Sequence, residues 1–319
     1  MNRRRLLKSG IGALVGATAA RPAPSASLKA DGERFVPIEG GKYRLWTRRT
    51  GKSSIKVLAL HGGPGFSHLY LNCFEDFLPV AGIELYLYDQ LGCLFSDNPD
   101  DTRLWSVERY TDEVEQVRKA LGLENFFLYG HSWGGMLAYE YALKYPQHLQ
   151  GVVISNMVAG LANYEKYVAK FRNELTPAER KTLEKYESAN NFDAPEYQKI
   201  VFDRIYTKHL CRLDPWPAPV ELSFRFANQK LYNYLQGPNE FVITGKFKNW
   251  DRTRDLKKIK TRALLMGARY DEMDPDEMRR IASVMPNARP AISARGSHLC
   301  MYDDQDWYFR ELISFLKQG

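Results

Sequence analysis

The sequence has little that would tie it to a metal, a disulfide framework or a membrane span. Its four cysteines, Cys73, Cys93, Cys211 and Cys300, are scattered through 319 residues with no CxxC pair among them, which excludes the usual spacing of a structural zinc site. They are read as mainly structural, with Cys93 and Cys300 set apart only because they neighbour motifs. No metal ligand set and no organic cofactor site is expected. The apolar stretch from Ile11 to Ala20 falls well short of the roughly 20 residues a spanning helix needs. A basic surface for nucleic acid is also lacking. The net charge is +7, but Arg3, Arg4, Arg5, Lys8 and Arg21 lie in residues 1–26, which hold no acids, and the remainder carries 40 basic against 38 acidic residues. No internal repeat or long low-complexity tract was found.

The N-terminus, "MNRRRLLKSGIGALVGATAARPAPSAS", has a charged start, a short Gly/Ala-rich apolar stretch and then small residues and prolines, the pattern of a secretory signal. Within it "RRRLLK" resembles a twin-arginine export signal with Arg3 and Arg4 as the pair, so a periplasmic location is expected, with cleavage after Ala20 or Ala26. The alternative is a basic tail on a cytoplasmic protein.

Beyond the leader, "FVPIEGGKYRLWTRR" reads as a hairpin turning at Gly40-Gly41. Apolar runs of strand length then recur at 55–60, 83–89, 125–130, 151–156, 262–267 and 288–293. Runs apolar on both faces suit buried parallel strands. Helical spacing lies between several of them: Val107, Tyr110, Val114, Val117 and Leu121 repeat at three and four, with Gly122 as a stop, and similar patterns cover 136–145, 276–285 and 306–316. The rhythm breaks between Met157 and Arg254, where polar and aromatic helical segments replace strands. The expected fold is therefore α/β, a mostly parallel sheet with helices on both faces. Residues 30–156 and 255–319 would form the core, and 157–254 an inserted helical lid over the carboxyl edge of the sheet.

Chemistry enters with "YGHSWGG" (129–135), whose Gly130-His131-Ser132-Trp133-Gly134 is a G-x-S-x-G pattern directly after a strand and before a helix. That context lifts the Ser132 hydroxyl above the sheet on a sharp turn and faces it with a helix N-terminus. In the α/β-hydrolase arrangement the acid and the base follow the nucleophile in that order, after later strands. Of the downstream histidines, His209 sits in a lid helix, whereas His298 of "ARGSHLC" follows the last strand and is the better base. The acid should come from the loop after the preceding strand, "ARYDEMDP", which holds Asp271, Glu272 and Asp274. Asp274, just before Pro275, reads as the cap of the next helix. "HGGPG" (61–65) lacks the Gly-Lys-Ser/Thr ending of a phosphate loop; the amides of Gly63 and Trp133 are instead the expected oxyanion donors, each worth about 2.7–4 kcal/mol of transition-state stabilisation.

"HGGPG", "DQLGC", "GHSWGG", "GPNEF", "YDEMDP" and "GSH", in that order over residues 61–298, resemble the proline iminopeptidase family of α/β-hydrolases, serine exopeptidases that release an N-terminal residue, usually proline. The resemblance implies Ser132, Asp271 and His298 as the triad, and Glu240 and Glu272 as carboxylates for the free α-amino group of a small peptide or amino-acid amide. An α-amine with a pKa of about 7.7–8.0 is largely cationic at neutral pH, so such carboxylates select unblocked termini. In "DQLGCLFSD" Leu94 and Phe95 stand where the family commonly has small residues, an expected reshaping of the pocket. Lid aromatics (Tyr232, Tyr234, Phe241, Trp216) are candidates for lining it. An esterase, amidase or lactonase on the same scaffold, or a non-catalytic binding protein, are the alternatives. Ser132 speaks against chemistry that uses an aspartate nucleophile. Oligomeric state is left open.

Overall fold

A computed structural model describes residues 32–318. The export-like leader and both cleavage positions lie outside that range. Eight strands form one sheet in the order β1-β2-β4-β3-β5-β6-β7-β8. β1 (Glu33–Ile38) and β2 (Tyr43–Thr50) are the hairpin read at Gly40-Gly41; β2 pairs antiparallel with β4 (Glu84–Tyr88). β3 (Lys56–Leu60), β4, β5 (Phe126–His131), β6 (Leu149–Ser155), β7 (Ala263–Ala268) and β8 (Ala288–Ser293) are parallel to one another.

Alternation along the central strands explains why they read as unbroken apolar runs. In β5, Phe126 and Leu128 enter the layer on one face, and Phe127 and Tyr129 the layer on the other. β3 splits the same way, Leu58 and Leu60 against Val57 and Ala59, and all four are buried. Each large side chain removed from water in this manner contributes about 1.5–3 kcal/mol. α1 (Val107–Leu121) and α2 (Trp133–Lys144) cover one face together with α8 (Pro275–Val284), while α9 (Gln305–Lys317) covers the other. α1 begins where Ser106 Oγ accepts from the Arg109 amide and ends at Gly122, whose φ of 66° is the left-handed stop expected of glycine.

Between β6 and β7 the chain builds the inserted helical lid: α3 (Leu161–Val168), α4 (Pro177–Ser188), α5 (Pro195–Ile200), a π-helical stretch Val201–Leu210, α6 (Ala218–Arg225) and α7 (Gln229–Leu235). Leu175, Leu183, Tyr197 and Val201 give it a small apolar centre of its own. All four cysteines are buried and unpaired. Burial pushes the thiols of Cys73 and Cys211 up to about 12, which leaves them inert at neutral pH.

Strand order matters because β3 has β4 on one side and β5 on the other. The chain reverses direction across the sheet there, and the loops leaving β3 and β5 diverge to leave a crevice. Register makes the loops neighbours: Leu60 lies opposite Gly130, so His61-Gly62 and His131-Ser132 leave the sheet side by side. The close approach is tight enough to require glycine. A Cβ on Gly134 would stand 2.4 Å from the Leu60 carbonyl oxygen, and one on Gly130 2.1 Å from the Gly134 oxygen. Helix propensity favours alanine over glycine by about 1 kcal/mol, yet Gly134→Ala is expected to destabilise the fold by about 1–3 kcal/mol, measured by chemical denaturation, because backbone must move to admit the methyl group.

Candidate active site

The carboxyl ends of β3, β5, β6, β7 and β8 converge. Ser132 occupies the turn between β5 and α2 with φ 54° and ψ −125°, a backbone state that L-residues rarely adopt. Its amide is tied to the Ser155 carbonyl at 2.9 Å, and its side chain is almost fully enclosed. His131 Nε2 meets the His298 carbonyl at 2.9 Å, so it must carry the proton; Nδ1 then accepts from the Tyr70 hydroxyl, also at 2.9 Å. The Tyr70 oxygen in turn accepts from the Gly62 amide. Burial, then the neighbouring His298, lowers the His131 pKa well below its ordinary value, so this ring stays neutral.

A second network fixes the opposite side of the crevice. His61 Nε2 accepts from the Gln90 amide at 3.1 Å, which puts the ring proton on Nδ1, directed at the Gly62 carbonyl 3.1 Å away. Burial lowers its pKa to about 4 and keeps that tautomer neutral. The Gln90 side chain donates to the His61 carbonyl and accepts from Trp133 Nε1 at 2.8 Å. "HGGPG", "DQLG" and the residue after Ser132 are thus one hydrogen-bonded unit.

His298 Nδ1 donates to Asp271 Oδ1 at 2.8 Å. Asp271 is fully buried, and its remaining capacity is filled: Oδ1 also accepts from the Met273 amide at 3.0 Å, and Oδ2 from Asn156 Nδ2 at 2.6 Å. Asn156, just past β6 with φ 54°, is held by Ser155 Oγ. Sequence reading missed Asn156, as it missed Tyr70, Gln90 and His61 as supports; the only local signal for Asn156 was its place at the end of an apolar run. Asp274 caps α8, accepting from the Asp276 amide. His209 is placed in the π-helical stretch, stacked on Phe171 at 3.7 Å, with Nε2 on Glu174 and Nδ1 on the Tyr270 carbonyl.

Glu272 Oε1 lies 3.6 Å from His298 Nε2 and has no hydrogen-bond partner. Burial raises the Glu272 pKa well above the usual carboxylate range; the charge of His298 and the Tyr164 hydroxyl oppose this, while Glu240 and Asp271 add to it. Burial likewise raises Glu240, opposed by the Tyr232 hydroxyl and by His298. Two small cavities adjoin Ser132, which with Gly63 and Glu240 lines both. The first adds Tyr70, His131, Phe224 and His298; the second adds Trp133, Tyr164, Phe247 and Met273. The wall aromatics are Phe66, Tyr70, Phe224, Trp133, Tyr164 and Phe247, and none of the four candidate lid residues lines either cavity. The reshaping expected at Leu94 and Phe95 is also corrected. Phe95 turns outward, 51% exposed, and packs on Trp46 and His68 at ring distances of 5.6 and 5.9 Å, away from both cavities.

These parts define a hydrolase of the α/β type: a family model for the alpha/beta hydrolase fold matches residues 56–305. Two relatives refine this. A proline iminopeptidase of Flavobacterium johnsoniae is 41% identical over 88% of this chain and 97% of its own length, and one of Chitinophaga pinensis is 43% identical over 89% and 98%. The chain belongs to the proline iminopeptidase family. Among solved structures, VinJ superposes with a TM-score of 0.85 at 30% identity, and a proline iminopeptidase of Mycobacterium smegmatis with 0.81 at 26%, each covering 90% of this chain and 98% of its own.

Asn156→Ala removes the Oδ2 donor of a buried carboxylate. A hydrogen bond to a charged group is worth about 1.5–3 kcal/mol, so hydrolytic turnover should fall by roughly ten- to a hundredfold in steady-state assays, with KM changed far less.

Proposed function

We propose that this protein is a serine aminopeptidase that releases the N-terminal residue of a peptide, with proline preferred. The observation that carries the reading is a pair of carboxylates, Glu272 buried beside His298 and the half-buried Glu240 at the wall that holds Ser132. No lysine or arginine is among the residues lining either cavity. Carboxylates at a site that no lysine or arginine lines favour a cationic ligand, and an unblocked peptide terminus is one.

In this mechanism the Ser132 hydroxyl attacks the first peptide carbonyl while His298 Nε2 takes its proton, and Asp271 holds the imidazole and stabilises its charged form. The amides of Gly63 and Trp133 receive the oxyanion. His298 then protonates the departing amine, and water, deprotonated by the same imidazole, releases the acyl group and restores Ser132. The two cavities on either side of Ser132 receive the N-terminal residue and the rest of the peptide. Family membership supports the choice of proline, because the relatives matched are named for that residue.

The test compares a prolyl arylamide with its N-acetylated form. Wild type should cleave the free form at least about a hundredfold better, Glu240→Gln should lose most of that preference, and Ser132→Ala should lower turnover by roughly 10⁴ or more. Equal cleavage of the blocked amide would sink the reading.

Export through the leader belongs to the same proposal. A fold whose four thiols are buried and unpaired is compatible with folding before translocation. Replacing Arg3 and Arg4 by lysine should move activity from the periplasmic to the cytoplasmic fraction; an unchanged distribution would contradict it.

A further inference from the structure

The site gathers three acids around one imidazole. Asp271 and Glu272 come from the loop after β7, and Glu240 from the segment after α7. His131, next to Ser132, faces His298 as well, but it is held neutral by Tyr70 and burial. His298 is therefore the basic group left beside the buried Asp271 and Glu272 and the half-buried Glu240. Its two nitrogens are divided between two of them: Nδ1 lies 2.8 Å from Asp271, and Nε2 lies 3.6 Å from the Glu272 oxygen that has no other partner. Nε2 is the atom that must present a lone pair to Ser132.

We propose that Glu272 holds a proton on His298 Nε2 while the site is empty, and that the substrate's α-ammonium displaces this proton by taking its place beside Glu272 and Glu240. The proton leaves to solvent, the cation count of the pocket is unchanged, and Nε2 becomes free to accept from Ser132. The inference rests on the aminopeptidase reading and deepens it. Glu272 becomes a specificity determinant that acts on the base as well as on the ligand, because a molecule without an amine meets a base that is already protonated.

Electrostatics agree with the geometry. Burial lowers the affinity of His298 for a proton, yet Glu272, Asp271 and Glu240 outweigh it and push its pKa up to about 9. A histidine raised in this way is protonated below that pH, so its basic form is scarce at pH 7 and grows as pH rises through about 9. An incoming ammonium supplies the opposite field and moves the same equilibrium down. Without Glu272 the midpoint also falls.

The test is an NMR titration of the His298 imidazole in the full-length protein, using pyrrolidine as an amine without a scissile carbonyl. The midpoint should drop by at least about one pH unit on adding pyrrolidine to the wild type, and by a similar amount in Glu272→Gln. Labelling of Ser132 by an uncharged fluorophosphonate at pH 7 should correspondingly become roughly tenfold faster in Glu272→Gln, although that variant cleaves prolyl arylamide more slowly than wild type. The pyrrolidine arm needs no substitution, so a poorly folded variant does not decide the matter. An unchanged midpoint with pyrrolidine, or labelling that is no faster in Glu272→Gln, overturns the proposal. If free-amine preference persists in either case, the aminopeptidase reading survives; loss of that preference is the separate result that removes it.

Discussion

His298 stands between the Asp271 carboxylate at Nδ1 and the Glu272 carboxylate beside Nε2, and all three side chains are almost completely buried. Charges in such surroundings interact far more strongly than in water, and an unmatched one is costly. The surrounding architecture keeps that group of charges in register. β7 and β8 pair from Ala263↔Ala288 to Ala268↔Ser293, so the acid loop and the histidine loop leave the sheet together. Tyr270 then donates from its amide to the Gly296 carbonyl, and Asn156 reaches across from β6 to Asp271.

The lid is wired into this arrangement rather than laid over it. His209 accepts the His298 amide through its carbonyl at 2.9 Å, and the Leu210 carbonyl accepts the Leu299 amide at 2.8 Å and Ser297 Oγ at 3.0 Å. The loop bearing His298 is thus braced from the π-helical stretch. Its other brace is Asp303, which accepts the Ser297 amide at 3.0 Å. Glu240 is delivered by the same insertion, with Tyr164 of α3 donating to its backbone carbonyl. The core thus sets Glu272 against His298, and the lid sets Glu240 at the cavity wall that His298 also lines.

How much of this could be read from the residues divides along physical lines. The strands were legible because burial on both faces leaves an unbroken apolar run, and Ser132 because its turn needs glycines at fixed offsets in the chain. His298 and Asp271 followed from their order after later strands. Asn156, Tyr70, Gln90 and His61 were not legible. Their roles depend on side chains meeting across strands, and no spacing along the chain encodes that. The lid aromatics could not be assigned for a related reason: a periodic aromatic pattern does not say which ring faces a cavity and which packs beneath it. Tyr232 lies buried against Phe66, at 5.9 Å between rings, while Phe66 itself lines the cavity.

Placing three acids around one base makes the ligand's cation part of the chemistry rather than only a handle for binding. If the amine and the His298 proton exchange for one another, binding must release a proton. Calorimetry of pyrrolidine binding to the wild-type protein near pH 8, repeated in buffers of different ionisation enthalpy, measures that number directly. Release of close to one proton per site is expected, falling toward zero in Glu272→Gln. Binding of pyrrolidine with no proton released, or with uptake, would contradict it.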